Sequence, residues 1–451
     1  TGGHEEDMEK LGTFSEAGFN LLIGQNYWYT SGHFDKSGRS DNPKALSVKG
    51  ILETLADFNK KNSGGSKIRL IASDRGIRSG EIPANAPYTA ERFKNYLNLS
   101  KDLRESLYGY DLIDEPGIER LKELLPAIRS VKGIDSEKVA YVNLGNADYR
   151  TVEELFENQD NYRLYVRGLA ENGQMVSFDN YHWITGDERP RNTVSGTFFK
   201  IVEIIAEETG KTSVPWWGCA LSVEHEKRGD DGTIWWGFRM CDPDNRNPRV
   251  ELARVRFNAH AYIIYGVKGI TWFTYDTPNC PVCNPQNIKN YRDSSKYCYH
   301  DACLDYYGNT TIFYDYVKEV NKKLISMGPI LMELTWLATV HGSPDNNYPH
   351  IPEGTLPVVR DDTPVIRSMS NDNTLAVGIF EGNDENKYVI VLNKDVEHDK
   401  SYRIELKNAQ KAYCFNCSLQ NWSTKEFGAP GTIIADVEAG DIEIFKIVEK
   451  Y

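Results

Sequence analysis

The sequence predicts an α/β fold: a (β/α)8 TIM barrel over residues 1–330, then an all-β antiparallel sandwich over 331–451. Two observations predict it. Apolar runs of strand length alternate with helical patterns in seven successive units, which is the signature of a parallel sheet covered by helices. After Met327 the rhythm changes to period-two alternation broken by Asn, Asp and Gly, as expected of an antiparallel sandwich.

The units follow in order. Phe19–Gln25 reads as a strand with a helix behind it over Leu46 to Phe58, and Lys67–Asp74 is followed by a helix over Ala90 to Leu103. Leu107–Ile113 is a buried strand, with a helix starting near Ile118. Lys138–Leu144 precedes a helix from Val152 to about Leu169, and Met175–Tyr181 one from Thr193 to Glu208. Val214–Ser222 is followed by a helix over Arg249–Tyr265, and Lys268–Tyr275 by one from Ile312 to about Met327. No Gly-rich phosphate loop follows the first strand, which argues against a doubly wound dinucleotide fold. An eight-stranded barrel needs one strand more; it lies upstream of residue 1 in a longer precursor, or another segment fills its slot. The switch to sandwich strands falls near Gly328-Pro329, and Leu375–Phe380, Lys387–Leu392, Tyr402–Leu406 and Ile442–Ile447 carry the alternation.

Chemistry points first to Asp114-Glu115-Pro116. Two carboxylates close a buried strand, and Pro116 ends it by removing an N–H. The loops after the strands form the active face of a barrel, and acids are costly there without a use; the alternative is a capping pair for the next helix. A formal charge of −13 argues against nucleic acid and anionic membranes as partners. No apolar run is long enough to span a bilayer. Aromatic residues make up 12% of the chain, 26 of them Tyr and 9 Trp, a supply of flat faces of the kind that stack on sugars.

Eight cysteines occur. Cys280, Cys283, Cys298 and Cys303 share one polar loop, with a spacing that suits either a structural zinc closed by four thiolates or two disulfides. Either would staple a long loop into a lid. A zinc so closed leaves no open position for catalysis, so no cofactor is expected to be required.

Ala17-Gly18-Phe19-Asn20, Asp114-Glu115-Pro116 and the run from Tyr265 to Tyr275, in that order, resemble motifs of retaining glycoside hydrolases of clan A. The likeness is to beta-galactosidase-like barrels carrying a C-terminal β-sandwich. The resemblance implies a hydrolase acting on O-glycosidic bonds of oligo- or polysaccharides. It places Glu115 on the fourth strand as acid/base and the nucleophile after the seventh, where Glu224 stands with Glu226 in reserve. In a retaining mechanism the two carboxyl groups stand about 5–5.5 Å apart; in an inverting one, about 6.5–9.5 Å. Asp114 stands where relatives carry an Asn that binds the sugar 2-hydroxyl. Asp179 and Asp276 are the next carboxylates in line.

Other strand tips supply sugar contacts: Asn26 and Trp28, Asp74, Asn143, then Asp179, Tyr181 and His182, then Trp272 and Tyr275. Trp235 and Trp236 lie in a polar loop after the seventh strand. His182 alone reads equally as a core histidine. The expected setting is secreted, periplasmic or cell-surface, with a signal peptide removed. The rival to the enzyme is a catalytically decayed barrel that binds carbohydrate, because fold does not establish activity.

Overall fold

Apolar strands and helical repeats alternate in the structure as they do in the sequence. The computed structural model describes residues 2–24, 47–74, 76–77, 88–116, 121–145, 159–173, 175–186, 189–193, 198–228, 234–240, 246–277, 297–305, 307–344, 356–427 and 431–449. In chain order the elements begin with α1 (Gly2–Glu16), β1 (Leu21–Ile23), α2 (Val48–Lys61), β2 (Arg69–Ala72), α3 (Ala90–Leu97) and α4 (Lys101–Ser106). Then come β3 (Leu107–Asp114), α5 (Leu121–Ile134), β4 (Val139–Leu144), α6 (Gln159–Asn172), β5 (Val176–Asp179), β6 (Ile184–Gly186) and β7 (Arg189–Thr193). They are followed by α7 (Phe198–Thr212), β8 (Trp216–Leu221), β9 (His225–Arg228), β10 (Ile234–Phe238), α8 (Pro248–Ile263), β11 (Gly269–Phe273), β12 (Tyr297–Tyr299) and α9 (Ile312–Leu331).

A parallel seven-stranded sheet has the order β1-β2-β3-β4-β5-β8-β11, the strand succession of a (β/α) barrel. The eighth strand is not among the described residues. By packing, the chain divides into one unit of Thr1–Tyr149, Glu157–Asp179 and Lys211–Trp216, and another of Arg150–Phe156, Asn180–Gly210 and Trp217–Tyr451.

In the first unit, Val48, Ile51, Leu52, Leu55 and Phe58 make the buried face of α2. The Ser47 hydroxyl caps that helix by accepting the Gly50 N–H at 3.0 Å. The parallel ladder between β3 and β4 shifts register between Asp111 and Ile113. This bulge re-aims the end of β3 and sets Asp114 opposite Asn143.

The second unit holds an antiparallel sheet of order β12-β9-β10-β6-β7 and the sandwich. The sandwich strands are β13 (Leu334–His341), β14 (Ile366–Met369), β15 (Leu375–Gly382), β16 (Lys387–Asn393) and β17 (Lys400–Leu406), then β18 (Ala409–Asn416), β19 (Asn421–Lys425), β20 (Thr432–Val437) and β21 (Ile442–Glu449). A six-stranded sheet, β13-β15-β16-β21-β18-β19, and a three-stranded one, β14-β17-β20, contribute Val377, Val391 and Phe445 on one side and Ile366, Ile404 and Ile433 on the other to a single apolar core.

The structure corrects the sequence reading in places. Thr193 ends β7, so the helix expected from there starts only at Phe198. The helix expected over Ala90 to Leu103 is two, α3 and α4. Trp235 and Trp236 lie on strand β10 rather than in a loop, and Cys298 lies on β12, paired with Glu226 of β9. These strands were hidden because each is only three to five residues long, too short to show a period. Among the described residues, no helix is long and apolar enough to cross a membrane.

Within the second unit, α8 and α9 are fastened to the sandwich by Asp441, which is buried. Its Oδ1 meets Lys323 Nζ of α9 at 2.7 Å and His260 Nδ1 of α8 at 3.0 Å. Gly440, at φ +66, lets the backbone press onto α8, where a Cβ would stand 2.0 Å from the Ala253 carbonyl oxygen. Burial favours the neutral form of Asp441, yet His260 and Lys323 hold its pKa far below the usual carboxylate range.

The folded pKa is depressed, so the stability this carboxylate contributes is complete above about pH 4, the unfolded value, and drains away as pH falls from there. Asp441→Asn should cost about 3–5 kcal/mol at neutral pH, the usual cost of breaking one side of a buried pair. It should also flatten the loss of stability below about pH 4. Urea titrations of both proteins across pH check this; an equal acid slope in the variant would contradict it.

Candidate functional site

The end of β3 carries the densest group of acids in the first unit. Asp111, fully buried, accepts a hydrogen bond from the Ser73 hydroxyl at 2.7 Å. Beyond the bulge the chain turns at Glu115, which has φ +44, a left-handed conformation that a non-glycine residue adopts at a cost. The Glu115 N–H still bonds the Asn143 carbonyl at 2.9 Å. The Tyr165 hydroxyl, from α6, donates to the Pro116 carbonyl at 2.8 Å. The strained turn is therefore held on both sides.

The turn presses the Glu115 side chain onto the backbone after β4. A Cβ on Gly145 would come within 2.7 Å of Glu115 Cγ, 2.8 Å of Oε1 and 2.9 Å of Cδ, so only glycine leaves room there. Asn143, at the end of β4, joins the neighbouring acids. Its amide donates to Asp114 Oδ1 at 3.1 Å and to Asp179 Oδ2 at 2.7 Å, while its own oxygen accepts the Ser177 hydroxyl at 2.9 Å. The Asp179 and Glu115 carboxyl groups are neighbours, and each shifts the pKa of the other.

This setting decides the charge states. As a whole residue Glu115 is exposed, but its carboxyl is set among protein atoms, and the surroundings of the carboxyl are what its charge responds to. Burial first, and the Asp114 charge second, raise the Glu115 pKa above the ordinary value, with the hydrogen bond from Asp179 opposing them. Asp179 is buried and is pushed well above the usual carboxylate range by burial and then by Glu115 and Asp114. Of the other expected contacts in this unit, Asp74 has both oxygens engaged, by the Tyr96 hydroxyl at 2.7 Å and the Gly76 N–H at 2.8 Å. Asn26 and Trp28 lie outside the described residues.

In the second unit, Glu224 follows β8 and is 3% exposed, which sets aside its reading as a solvated charge. Arg239 Nη1 stands 3.5 Å from its Oε2, and the His300 N–H bonds its backbone carbonyl at 2.8 Å. Next to it, His225 is buried, and burial lowers its pKa to about 4. Its ring lies over Tyr299 at 5.3 Å and meets Tyr181 edge-on at 6.3 Å. Tyr181 stacks on Phe273 at 5.8 Å, with its hydroxyl 3.8 Å from the Cys219 sulfur. Tyr181, His225, Phe273 and Tyr299 thus form one aromatic group next to Glu224 in the chain.

Other expected contacts are used within the unit. His182 is enclosed by Phe198, Phe257 and Trp183, and burial drops its pKa to about 3, which makes it a neutral core histidine. The Trp272 indole N–H donates to Asn321 of α9 at 2.9 Å. Tyr275 is half-buried, and its backbone carbonyl accepts the Leu304 N–H at 2.9 Å. Asp276 pairs with Leu304 in an isolated bridge. Of the side chains of Trp235, Trp236 and Glu226, which lie outside the described residues, only the strand positions are known.

Cys280 and Cys283 lie outside the described residues, as does the Cys298 side chain. Cys303 is a free, buried thiol, its sulfur 4.0 Å from the Phe313 carbonyl oxygen. Burial raises its pKa. Among the described residues, no group of three or more His, Cys, Asp or Glu could hold a metal ion.

Sequence reasoning singled out Glu115, Asp114, Asn143, Asp179 and Glu224 as candidates and passed over their neighbours Gly145 and Arg239. Gly145 follows Asn143 by two residues, and its need for space exists only once Glu115 is folded over it. Arg239 lies 15 residues beyond Glu224, without a motif.

No family model matches the chain, and no curated protein does. Among solved structures it is similar to a putative alpha-galactosidase from Bacteroides fragilis, with TM-score 0.47, 10% identity, and 99% of this chain and 76% of that one covered. It is similar also to alpha-galactosidase I from Mortierella vinacea, with TM-score 0.48, 9% identity, and 99% and 93% covered. A family 39 glycoside hydrolase from Bacteroides cellulosilyticus gives 0.45, 10%, and 98% and 78%. Likeness at this level carries nothing about activity.

Gly145→Ala tests the crowding at Glu115. It should displace the Glu115 carboxyl from Asp179 and cost about 1–3 kcal/mol of stability, as overpacking does. A crystal structure and urea titration of the variant check it; an unmoved carboxyl would contradict the account.

Proposed function

We propose that the protein is a glycoside hydrolase that cleaves O-glycosidic bonds of oligo- or polysaccharides by a two-carboxylate, retaining mechanism. Glu115 is the acid/base and Glu224 the nucleophile. The observation that carries the reading is Glu115: a residue at a strand end, strained in backbone and exposed as a whole, whose carboxyl pKa is raised above the ordinary range by burial and by Asp114. A general acid needs that combination of access and a retained proton.

In the first step a Glu224 oxygen attacks the anomeric carbon while Glu115 gives its proton to the departing sugar oxygen. In the second, Glu115, now a carboxylate, takes a proton from water as that water displaces Glu224 from the sugar. Arg239 gives Glu224 a cationic neighbour at 3.5 Å, which suits a buried group that works as an anion. Asp114 and Asn143 are candidate contacts for a sugar hydroxyl. Secretion, to the periplasm, the cell surface or the medium, is part of the same proposal.

Raising the pH removes the Glu115 proton, so turnover should fall on the alkaline side, and the raised pKa places that fall above the ordinary glutamate range. On aryl glycosides, Glu115→Gln should lose about 10²–10⁴-fold with poor leaving groups and much less with 4-nitrophenol, which departs without a proton. Glu224→Ala should lose turnover on all of them, with azide restoring the 4-nitrophenyl reaction by replacing the missing nucleophile. If neither protein nor variants hydrolyse any glycoside while Glu115→Gln retains glycan binding, the chain is a carbohydrate-binding protein instead.

A further inference from the structure

Asp179 poses a problem that the mechanism above leaves unsolved. One oxygen accepts the Asn143 amide at 2.7 Å, but Oδ1, buried, receives no N–H or O–H hydrogen bond among the described residues. The Glu115 carboxyl is its acidic neighbour, close enough for each group to shift the other's pKa. Two carboxylates both only accept, so a hydrogen bond between them requires that one hold a proton. The residue exposures differ sharply. Asp179 is 4% exposed, whereas Glu115 has an open face.

The charged groups acting on Asp179 are Glu115 and Asp114 from the end of β3, both acidic; α6 contributes the phenol of Tyr162 and β4 the amide of Asn143. Among the described residues none of these supplies a positive charge to hold an Asp179 carboxylate, and a buried carboxylate without a cation is the costlier of the two ions.

We infer that Asp179 is a neutral carboxylic acid that positions Glu115 by donating a hydrogen bond to it, a role that rests on Glu115 being the acid/base. When Glu115 passes its own proton to the leaving oxygen, the new carboxylate accepts the Asp179 O–H. Asp179 keeps its proton throughout, and Glu115 recovers one from water in the second step, so the proton count closes. Asn143 fixes the direction of that donor by occupying the other Asp179 oxygen. A carboxylic acid held neutral for use as a donor is an established device of apolar sites.

The tests are two substitutions with opposite expectations. In Asp179→Asn the amide oxygen can accept from Asn143 and the amide N–H can donate to Glu115. Compared with Asp179→Ala, this variant should recover much of the turnover of phenyl and 4-nitrophenyl glycosides, and its alkaline limb of kcat against pH should lie nearer that of the parent. In Asp179→Ala the donor is lost. The alkaline limb should move up by about one to two pH units, the worth of a hydrogen bond to a charged group. The loss should appear in kcat rather than KM. A downward shift of that limb in Asp179→Asn would show that an anion had been removed, and would overturn the inference.

Infrared difference spectra of the protein without substrate separate this from failure of the enzymatic reading. At pH 7 a protonated-carboxyl band should persist in Glu115→Gln, where Glu115 cannot contribute to it, and should be lost when Asp179→Asn is added to that variant. Absence of the band in Glu115→Gln overturns the inference even if the parent cleaves glycosides. Its presence there, and its loss in the double variant, sustain a neutral Asp179 even if no glycoside is cleaved.

Discussion

Desolvation of neighbouring acids at the end of β3 is the constraint to which the rest of the candidate site answers. Asp114, Glu115 and Asp179 converge on one Asn143 amide or on each other. Acids so placed cannot all carry charge. Backbone geometry enforces the crowding: the bulge in β3 sets the register, the left-handed turn at Glu115 aims the side chain, and Gly145 supplies the space. None of these features stabilises the fold by itself, and the turn at Glu115 is a cost. Their joint product is one acid exposed as a residue, Glu115, and another that is buried, Asp179.

Glu224 has a different environment. It is buried beside a guanidinium, and the next residue in the chain, His225, is kept neutral by aromatic rings. One acid is thus surrounded by acids and the other has a cation. This difference of environment lets two chemically identical side chains take different roles.

The parallel strands were legible because each needs an apolar run on its own sequence, and β3 could be read together with the two acids that end it. Sandwich strands such as β15, β16 and β21 showed for a related reason: alternation sustained over seven or eight residues is the period of a strand with one face buried and does not fit a helix. Strands β6, β7, β9, β10 and β12 were not legible, since each is too short to show a period. The closeness of Glu115 to Asp179 was also out of reach. They lie 64 positions apart, and each was recognisable only as an acid at a strand end. The hydrogen bond from the Trp272 indole N–H to Asn321 on α9 was likewise out of reach, since it joins residues 49 positions apart.

The small antiparallel sheet has an evolutionary consequence. In most barrels the loops after the strands vary independently, which is how one scaffold acquires many specificities. Here the segments after β5, β8 and β11 each supply strands to a single ladder, β12-β9-β10-β6-β7. Glu224 immediately precedes one of those strands, and its backbone carbonyl is bonded by the residue following another. An insertion that lengthened any one of the three segments would have to preserve the pairing of the others. Change in this half of the protein is therefore confined to side chains on an existing ladder, or to replacement of the three segments together.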